Sequence, residues 1–308
     1  MIDPIIGTDR LIVCSGGFHG NEELLRMADA KKYEVNKYGM GTSMGTSNIH
    51  RILRRLGAKA ILLDKIQFSP CGVFRPEMGI EKDKNFDLHV INEISREFGG
   101  FLTNIDGSLI VSETNTENSI SKTILERHLV SSFTDENNKF KNLPFALSNF
   151  IINQKIFDLI SSEKYISYFG EILNFFQKYE NSQHLCSSLN MNPTVFNETV
   201  SQLNKYKNQS SRSYYDKDQP FYRVLVTPVI NTTLGGFAID ENCQPIWNMN
   251  AKRNIFCAGS VSCGVNGVNI LSGNSLLQSI VFGRIAGRNA VLGVPRKEKQ
   301  KTNEKKEK

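Results

Sequence analysis

The sequence contains no long apolar run, only one tryptophan and no closely spaced pair of cysteines. A helix that spans a bilayer needs about 20 consecutive apolar residues, and no segment approaches that length. The six cysteines lack Cys-x-x-Cys spacing, and no group of cysteines and histidines has the spacing of a zinc site. We therefore expect no membrane span and no metal site, and we expect the cysteines to be reduced core residues.

The start of the chain also lacks the features of a targeting segment. Asp3, Asp9 and Arg10 surround a short apolar run, which is typical of neither a signal peptide nor an Arg- and Ser-rich transit peptide. With 40% hydrophobic and 22% charged residues, the composition is that of a globular protein. A cytoplasmic location is the default expectation.

The net charge of +6 is concentrated at the C-terminal end. Residues 295–308 (PRKEKQKTNEKKEK) hold seven Lys and Arg against three Glu, which is +4 and leaves +2 for residues 1–294. This segment has no apolar residue to bury, so we expect a disordered, solvated basic tail. Because the mixed charge weakens the release of counterions that drives nucleic-acid binding, we expect no nucleic-acid partner.

The first 63 residues predict an α/β layer. Residues 10–14 (RLIVC) predict a buried strand that ends at a glycine turn, and a helix is expected over 21–30. Residues 48–56 (NIHRILRRL) predict a helix that Gly57 ends, and residues 60–63 resemble the next strand. Strand, helix and strand in this order are typical of an α/β fold.

The middle of the chain has a different composition, rich in Asn, Ser, Lys and Phe. Helical patterns cover 145–160 and 165–179, and the Asn- and Ser-rich stretch 181–212 predicts loops. A strand at 222–230 is expected to be interrupted by Pro228.

The end of the chain returns to an α/β pattern. A Gly-Gly turn at 235–236 and a strand at 254–258 are followed by a Gly-rich stretch and an apolar helix at 274–291. The pattern predicts an α/β domain, α+β overall, that is interrupted by an inserted domain.

The Gly-rich stretch 259–273 is the strongest candidate for a ligand site. Glycines allow the backbone to approach a ligand closely, and the free N–H groups of the following helix attract an anion. An ordinary glycine-rich turn with an N-cap at Asn274 or Ser275 would give the same pattern. The residues alone leave both interpretations open.

Four motifs in order resemble the soluble fumarate reductase flavoproteins. They are IVCSGGFHGNEELL at 12–25, LGA at 56–58 with IQFSP at 66–70, TPVINTTLGGF at 227–237, and the stretch from AGS at 258–260 through GNSL to VFGRIAG at 281–287. The resemblance covers most of residues 11–291 and is weakest over 140–218. It implies a split, Rossmann-like FAD-binding domain with an inserted capping domain that closes over a dicarboxylate. Relatives occur in several compartments, including mitochondria.

The resemblance also implies a division of the chain and a set of cofactor residues. The FAD-binding domain would comprise 1–68 and 231–294, with 69–230 as the capping domain and 295–308 as the tail. A helix N-terminus near the flavin would stabilise the negative charge of its reduced form. The implied FAD contacts are Gly16, Gly17, Phe18, Gly259, Ser260, Gly273, Asn274, Ser275 and Leu276. Ser260 stands where the family has an acidic residue.

The positions that bind and protonate the substrate in this family are substituted. The family's two histidines fall on Ser69 and Thr232, and its two arginines fall on Glu117 and Ile270. A proton relay would remain at Glu93 and Arg96, beside Glu113, although an i, i+3 surface ion pair explains Glu93 and Arg96 equally well.

A dinucleotide-binding GxGxxG unit is not evident. The nearest segment, Gly39 to Gly45 (GMGTSMG), is one residue too long and follows no apolar strand, so we expect a loop. The sequence therefore predicts a fumarate reductase-like FAD-dependent oxidoreductase, present as a truncated, catalytically degenerate C-terminal portion. The alternative is a non-catalytic remnant or binding module that keeps only the fold.

Overall fold

The computed structural model describes residues 7–21, 23–28, 48–74, 90–91, 94–110, 116–126, 147–162, 164–205, 214–248, 254–267, 269–271 and 273–293. The chain divides into two compact units. The first comprises Met1–Gly17, Ser47–Lys65 and Leu234–Lys308, and the second comprises Phe18–Thr46 and Ile66–Thr233. None of the helices described is long and apolar enough to cross a membrane.

Ten strands and nine helices are described, numbered in chain order. The strands are β1 (Leu11–Val13), β2 (Ala60–Ile61), β3 (Ile66–Val73), β4 (Phe101–Thr103), β5 (Ser148–Asn153), β6 (Gln177–Tyr179), β7 (Phe221–Thr233), β8 (Gly236–Ala238), β9 (Ile255–Cys257) and β10 (Ser262–Cys263). The helices are α1 (23–28), α2 (Asn48–Arg55), α3 (Ile94–Glu97), α4 (Glu117–Glu126), α5 (Gln154–Ile160), α6 (Ile166–Leu173), α7 (Ser182–Ser188), α8 (Pro193–Lys205) and α9 (Asn274–Leu292).

The first unit is an α/β layer. β1 pairs with β9 in parallel, with Val13 opposite Cys257, and β8 lies between β2 and β10 in a second small sheet. Cys257 packs in a core with Leu53 of α2, whereas Phe256 packs with Ala286 of α9. Because neighbouring strand residues point to opposite faces, α2 and α9 contribute to cores on opposite faces of the β1–β9 pair.

Apolar side chains remain exposed on this unit. Leu11 and Ile12 of β1 are 43% and 40% exposed, and β9 is the strand that pairs with β1 in the described residues. On α9, Leu276 and Ile280 are 68% and 53% exposed. Both elements therefore leave apolar side chains partly uncovered.

The second unit contains an antiparallel sheet of order β3-β7-β5-β4, with β6 also paired to β7. Its core includes Phe150 of β5, Val226 of β7 and Phe169 of α6, all fully buried. The expected interruption at Pro228 is wrong, because β7 runs unbroken from Phe221 to Thr233. The register between β3 and β7 shifts between Ser69 and Gly72, opposite Pro228, so the missing N–H falls where the ladder is already irregular.

Two other expectations for this unit are corrected. The helical pattern over 145–160 is helical only from Gln154, because Ser148–Asn153 forms the fully buried strand β5. The loops expected over 181–212 include helices α7 and α8. Asn181 caps α7 by accepting the N–H of His184, and Ser201 donates to the Asn197 carbonyl within α8. The Asn and Ser residues there bond to the helical backbone rather than break it.

The units differ from the predicted segments by three residues at each boundary, at 66–68 and 231–233, and in one larger respect. Ile66–Thr233 contains the segment predicted as the capping domain, but Phe18–Thr46 belongs to the same unit and was expected to belong to the FAD-binding segment. The assignment of the units to FAD binding and capping stays a prediction.

Candidate functional site

The N-terminus of α9 is not capped by a side chain. Gly273 is the N-cap residue, with φ of +82°, and it makes no side-chain hydrogen bond to the first turn. The N-cap is therefore neither Asn274 nor Ser275. Because the first N–H groups of a helix have no intrahelical acceptor, those of Ser275 and Leu276 are suitable donors for an anionic ligand.

A chain of side-chain amides connects this helix to the turn after β9. Gln278 Nε2 lies 3.4 Å from the Gly259 carbonyl oxygen, and Gln278 Oε1 accepts a hydrogen bond of 2.6 Å from Asn266 Nδ2. Asn274 Nδ2 in turn donates to Asn266 Oδ1 at 3.5 Å. Ser262 Oγ also donates to the Gly259 oxygen, at 2.8 Å. The network holds the Gly-rich loop against the helix N-terminus.

Ser260 lies in the 3-10 turn Gly259–Val261, which is separated from β9 by Ala258. Gly259 has a φ of +74°, a conformation that glycine adopts without strain. Both residues are half-buried. The turn therefore places a neutral hydroxyl where the resemblance implies an acidic residue.

The glycine turn after β1 is held within the first unit by His50. The Nε2 atom of His50 donates to the Gly16 carbonyl oxygen at 3.2 Å, and the imidazole stacks on Phe237. Gly16 has a φ of +81°, so the turn requires a glycine there. Burial is the largest effect on the pKa of His50 and lowers it, so the ring is neutral at pH 7.

Phe18 is fixed within the second unit. Its backbone N–H donates to Thr233 Oγ1 at 3.1 Å, and its ring is 1% exposed. Gly17, which precedes it, is buried as well.

Two of the substituted substrate positions meet in the structure. Ser69 Oγ of β3 donates to Glu117 Oε1 at the start of α4, at a distance of 3.5 Å. Ser69 is 1% exposed, and the neighbouring Phe68 N–H donates to Asn118 Oδ1 at 3.4 Å. Residues 48 positions apart are thus brought together by the packing of α4 on β3.

The other two positions are placed separately. Thr232 lies half-buried on β7, opposite Gln67 of β3 in the second unit. Ile270 is half-buried in the loop before α9 in the first unit. All four substituted positions therefore carry neutral or acidic side chains.

The predicted proton relay is described only in part. Arg96 lies half-buried in α3, whereas Glu93 and Glu113 fall outside the described residues. The segment Gly39–Gly45 also lies outside them. Among the described residues, no group of histidine, cysteine and acidic side chains could hold a metal ion.

Comparison with known proteins identifies the family of the chain. Residues 4–276 match the FAD binding domain family. The chain belongs to this family. The match covers most of the chain and includes β1, β9 and the start of α9.

Individual relatives of this chain are fumarate reductases. It is 25% identical to the probable fumarate reductase Ifc3 of Shewanella frigidimarina, over 93% of this chain and 45% of the relative. It is 27% identical to fumarate reductase 1 of Saccharomyces cerevisiae, over 92% of this chain and 59% of the relative. The open conformation of a flavocytochrome c3 fumarate reductase has the same fold, with a TM-score of 0.62 at 23% identity, over 93% of this chain and 47% of that one. The chain spans about half the length of these relatives.

The family's cofactor suits the α9 end of the first unit. FAD supplies hydride transfer when bound. The uncapped amides at Ser275 and Leu276 and the open approach at Gly273 and Gly259 fit an anionic, planar group, because nothing lies within 4 Å of a Cβ built on Gly273. A Cβ on Gly259 would meet only Ser279 Oγ, at 3.5 Å. These residues are the ones that would hold the cofactor.

Four residues that support the implied FAD contacts were not predicted from the sequence. Each of them bonds to one of the FAD contacts that the resemblance implied. They are His50, Thr233, Gln278 and Asn266. Gln278 could have been found, since it is one of the few polar residues of an apolar helix. His50 had no local signal, because its acceptor Gly16 is 34 residues away.

Proposed function

We propose that this chain is a truncated, catalytically degenerate form of a fumarate reductase-like FAD-dependent oxidoreductase, which by itself binds FAD weakly or not at all and no longer supports fumarate reduction. The proposal rests on the hydrogen bond between Ser69 Oγ and Glu117 Oε1. By resemblance, Ser69 corresponds to a histidine of the substrate site, and Glu117 corresponds to the arginine that protonates the substrate. Here a carboxylate and a hydroxyl are bonded to each other.

The charge at this position is of the wrong sign for fumarate. Fumarate has two negative charges, and hydride transfer to it requires fixed positive charges and hydrogen-bond donors. Glu117 would repel such a substrate. The loss of one preorganised charge costs on the order of 3–4 kcal/mol of barrier, or ~10²–10³ in rate. Losses at several positions are not additive, but four should leave negligible turnover.

The proposal includes truncation relative to the fumarate reductases. The exposed apolar side chains of Leu11 and Ile12 on β1 support further strands beside β1 in a complete nucleotide-binding sheet. The relatives that this chain matches are about twice as long, which supports the same proposal. A bound FAD would need such a segment for its pyrophosphate.

FAD uptake and fumarate turnover test the two parts of the proposal separately. The purified chain is titrated with FAD, followed by flavin fluorescence, and assayed for fumarate reduction with a reduced dye. Fumarate reductase 1 of Saccharomyces cerevisiae serves as the positive control. We expect weak or no FAD uptake and no fumarate turnover above background. Turnover at the rate of the control would refute the loss of activity.

A charge-neutralising variant tests the role of Glu117. We expect Glu117→Gln to bind succinate more tightly than the unmodified chain in calorimetric titrations, because repulsion of the dianion is removed. Ser119→Ala, on the exposed face of the same helix, is the matched control and should change nothing. Equal succinate affinity in all three proteins would argue against a repulsive carboxylate at this position.

A further inference from the structure

Arg223 carries a buried positive charge in the antiparallel sheet of the second unit. It is 7% exposed and lies on β7 opposite Ile151 of β5 and Gln177 of β6. Its Nε donates to Asn149 Oδ1 at 2.7 Å, and its Nη1 donates to Gln177 Oε1 at 3.4 Å. Both acceptors are neutral amide oxygens, so neither compensates the charge.

No carboxylate in the described part of the chain pairs with this guanidinium. Burial lowers the pKa of Arg223 to about 10, and the group that opposes this effect is the phenol of Tyr179. Arg223 therefore stays protonated at neutral pH. Fully buried charges in proteins are nearly always paired, because an isolated ion loses its hydration without compensation. The charge of Arg223 calls for a counter-ion.

Hydrogen-bond donors remain available beside it. Nη2 of Arg223 makes no hydrogen bond to the described residues, and the edge formed by Nη1 and Nη2 can present two parallel N–H groups. Thr103 Oγ1 is also buried, and it too has no hydrogen-bond partner in the described structure. Thr103 lies directly opposite Asn149, whose amide oxygen holds Nε of Arg223, so the hydroxyl and the guanidinium share one face of the sheet.

We propose that Arg223 and Thr103 bind a small monoanion, either chloride or a carboxylate of formate size, on this face of the sheet. One negative charge neutralises the guanidinium, whereas a dianion would leave a net charge in a desolvated place. The neighbouring Tyr179 and Leu225 are themselves buried, which limits the ligand to a small ion. This anion site is independent of FAD and of fumarate.

Thermal unfolding at constant ionic strength tests the site. Sodium gluconate, whose anion is too large, is replaced stepwise by sodium chloride or by sodium formate. An ion that binds only the folded protein raises the unfolding midpoint in a saturable way, by roughly 3–6 °C at ten times its dissociation constant. A saturable rise with chloride indicates a site that accepts a halide, and a saturable rise with formate indicates a site that accepts a carboxylate.

Arg223→Met separates binding from general salt effects. Methionine fills a similar volume without charge, so this variant should lose the saturable rise and keep any shift common to all salts. If Arg223→Met does not fold, Thr103→Val removes only the hydroxyl and should weaken the apparent anion affinity several-fold. An equal saturable rise in these variants, or equal midpoints in gluconate, chloride and formate for the unmodified chain, would overturn the proposal. Arg223 would then serve only to fix the register of β5, β6 and β7.

Discussion

The Nε2 atom of His50 donates a hydrogen bond of 3.2 Å to the carbonyl oxygen of Gly16. The imidazole is 2% exposed and lies against Phe237, with ring centroids 5.3 Å apart. Helix α2 is thereby connected to the glycine turn that follows β1. Burial lowers the pKa of His50, and repulsion from Arg54 adds to this, while the bond to Gly16 acts in the opposite direction.

Acidification should therefore destabilise the first unit. In the unfolded chain, His50 takes up a proton near its ordinary pKa of 6.5, but the folded form takes it up only at a lower pH. The stabilisation is complete above pH 6.5 and is lost as the pH falls toward the folded pKa, with a slope of at most about 1.4 kcal/mol per pH unit. Chemical denaturation between pH 5 and 7.5 measures this slope.

His50→Gln removes the titrating group and should flatten this part of the profile, at the cost of lower stability at pH 7.5. His184→Gln, at an exposed position of α7, is the matched control. If the unfolding free energy of His50→Gln fell with pH as steeply as that of the unmodified chain, the pH dependence would not come from His50.

The elements that the sequence predicts well are those with local signals. Helix α9 begins at Asn274 as expected, because Gly273 and the apolar pattern both mark its start. β1 and β9 are short β-branched and apolar runs that end at glycine turns, and both occur where expected. The prediction that the first of them is buried is wrong, because Leu11 and Ile12 of β1 are exposed and only Val13 is buried. Boundary residues and local periodicity are sufficient for such elements.

Elements and contacts that depend on distant residues were not predictable in this way. Ser148–Asn153 has an apolar pattern that also suits a helix, and it is a strand because it pairs with β4 on one side and β7 on the other. The contact between Ser69 and Glu117 depends on the packing of α4 on β3, which no local pattern shows. The amide network at Gln278 likewise joins residues 12 and 19 positions away.

Gly235 is required by the close approach of another backbone segment. A Cβ on this residue would collide with the Leu62 carbonyl oxygen and would lie 2.6 Å from the Cα of Leu63. We expect Gly235→Ala to destabilise the protein by about 1–3 kcal/mol, because the backbone would have to shift. Urea denaturation followed by circular dichroism measures the change.

Gly283→Ala is the matched control within the same unit. Gly283 lies inside α9, and nothing is within 4 Å of a Cβ built on it. Alanine should stabilise this helix by about 0.5–1 kcal/mol. If both substitutions had effects of the same sign and size, steric contact at Leu62 would not be the reason for Gly235.

We expect Gln278 to be needed to hold the Gly-rich loop 259–273 against the start of α9. Gln278→Leu removes the hydrogen bonds to the Gly259 oxygen and to Asn266, and we expect a loss of about 1–2 kcal/mol in unfolding free energy without FAD. Any FAD affinity should fall as well, because the Gly-rich loop is no longer held against α9. Flavin fluorescence titration measures that affinity.

The adjacent Ser279→Ala provides the comparison. Ser279 is exposed and donates only to the Ser275 carbonyl, so its loss should change stability by less than about 0.5 kcal/mol. An equal loss in both variants would assign the effect to the helix in general rather than to the amide network.

The six cysteines should differ sharply in reactivity. All six lie in the described part of the chain and are free thiols, and Cys14, which follows β1, is the exposed one. Desolvation raises the pKa of Cys257 to about 12 and that of Cys243 to about 11, so these thiols do not form the reactive thiolate at pH 8. With Ellman's reagent at pH 8, we expect one thiol per folded chain to react, and the other five to react at least ~10²-fold more slowly until the chain unfolds.

Cys14→Ser should abolish the fast phase, whereas Cys71→Ser, at a buried position of β3, should leave it unchanged. Two or more fast thiols in the unmodified chain would mean that the core around β9 opens on the time scale of the reaction, because Cys257 and Cys243 can react only after they reach solvent. Repeating the assay at several reagent concentrations separates the two cases. A rate that stops rising with reagent reports the opening of the core, and a rate that stays proportional to reagent reports direct attack on Cys14.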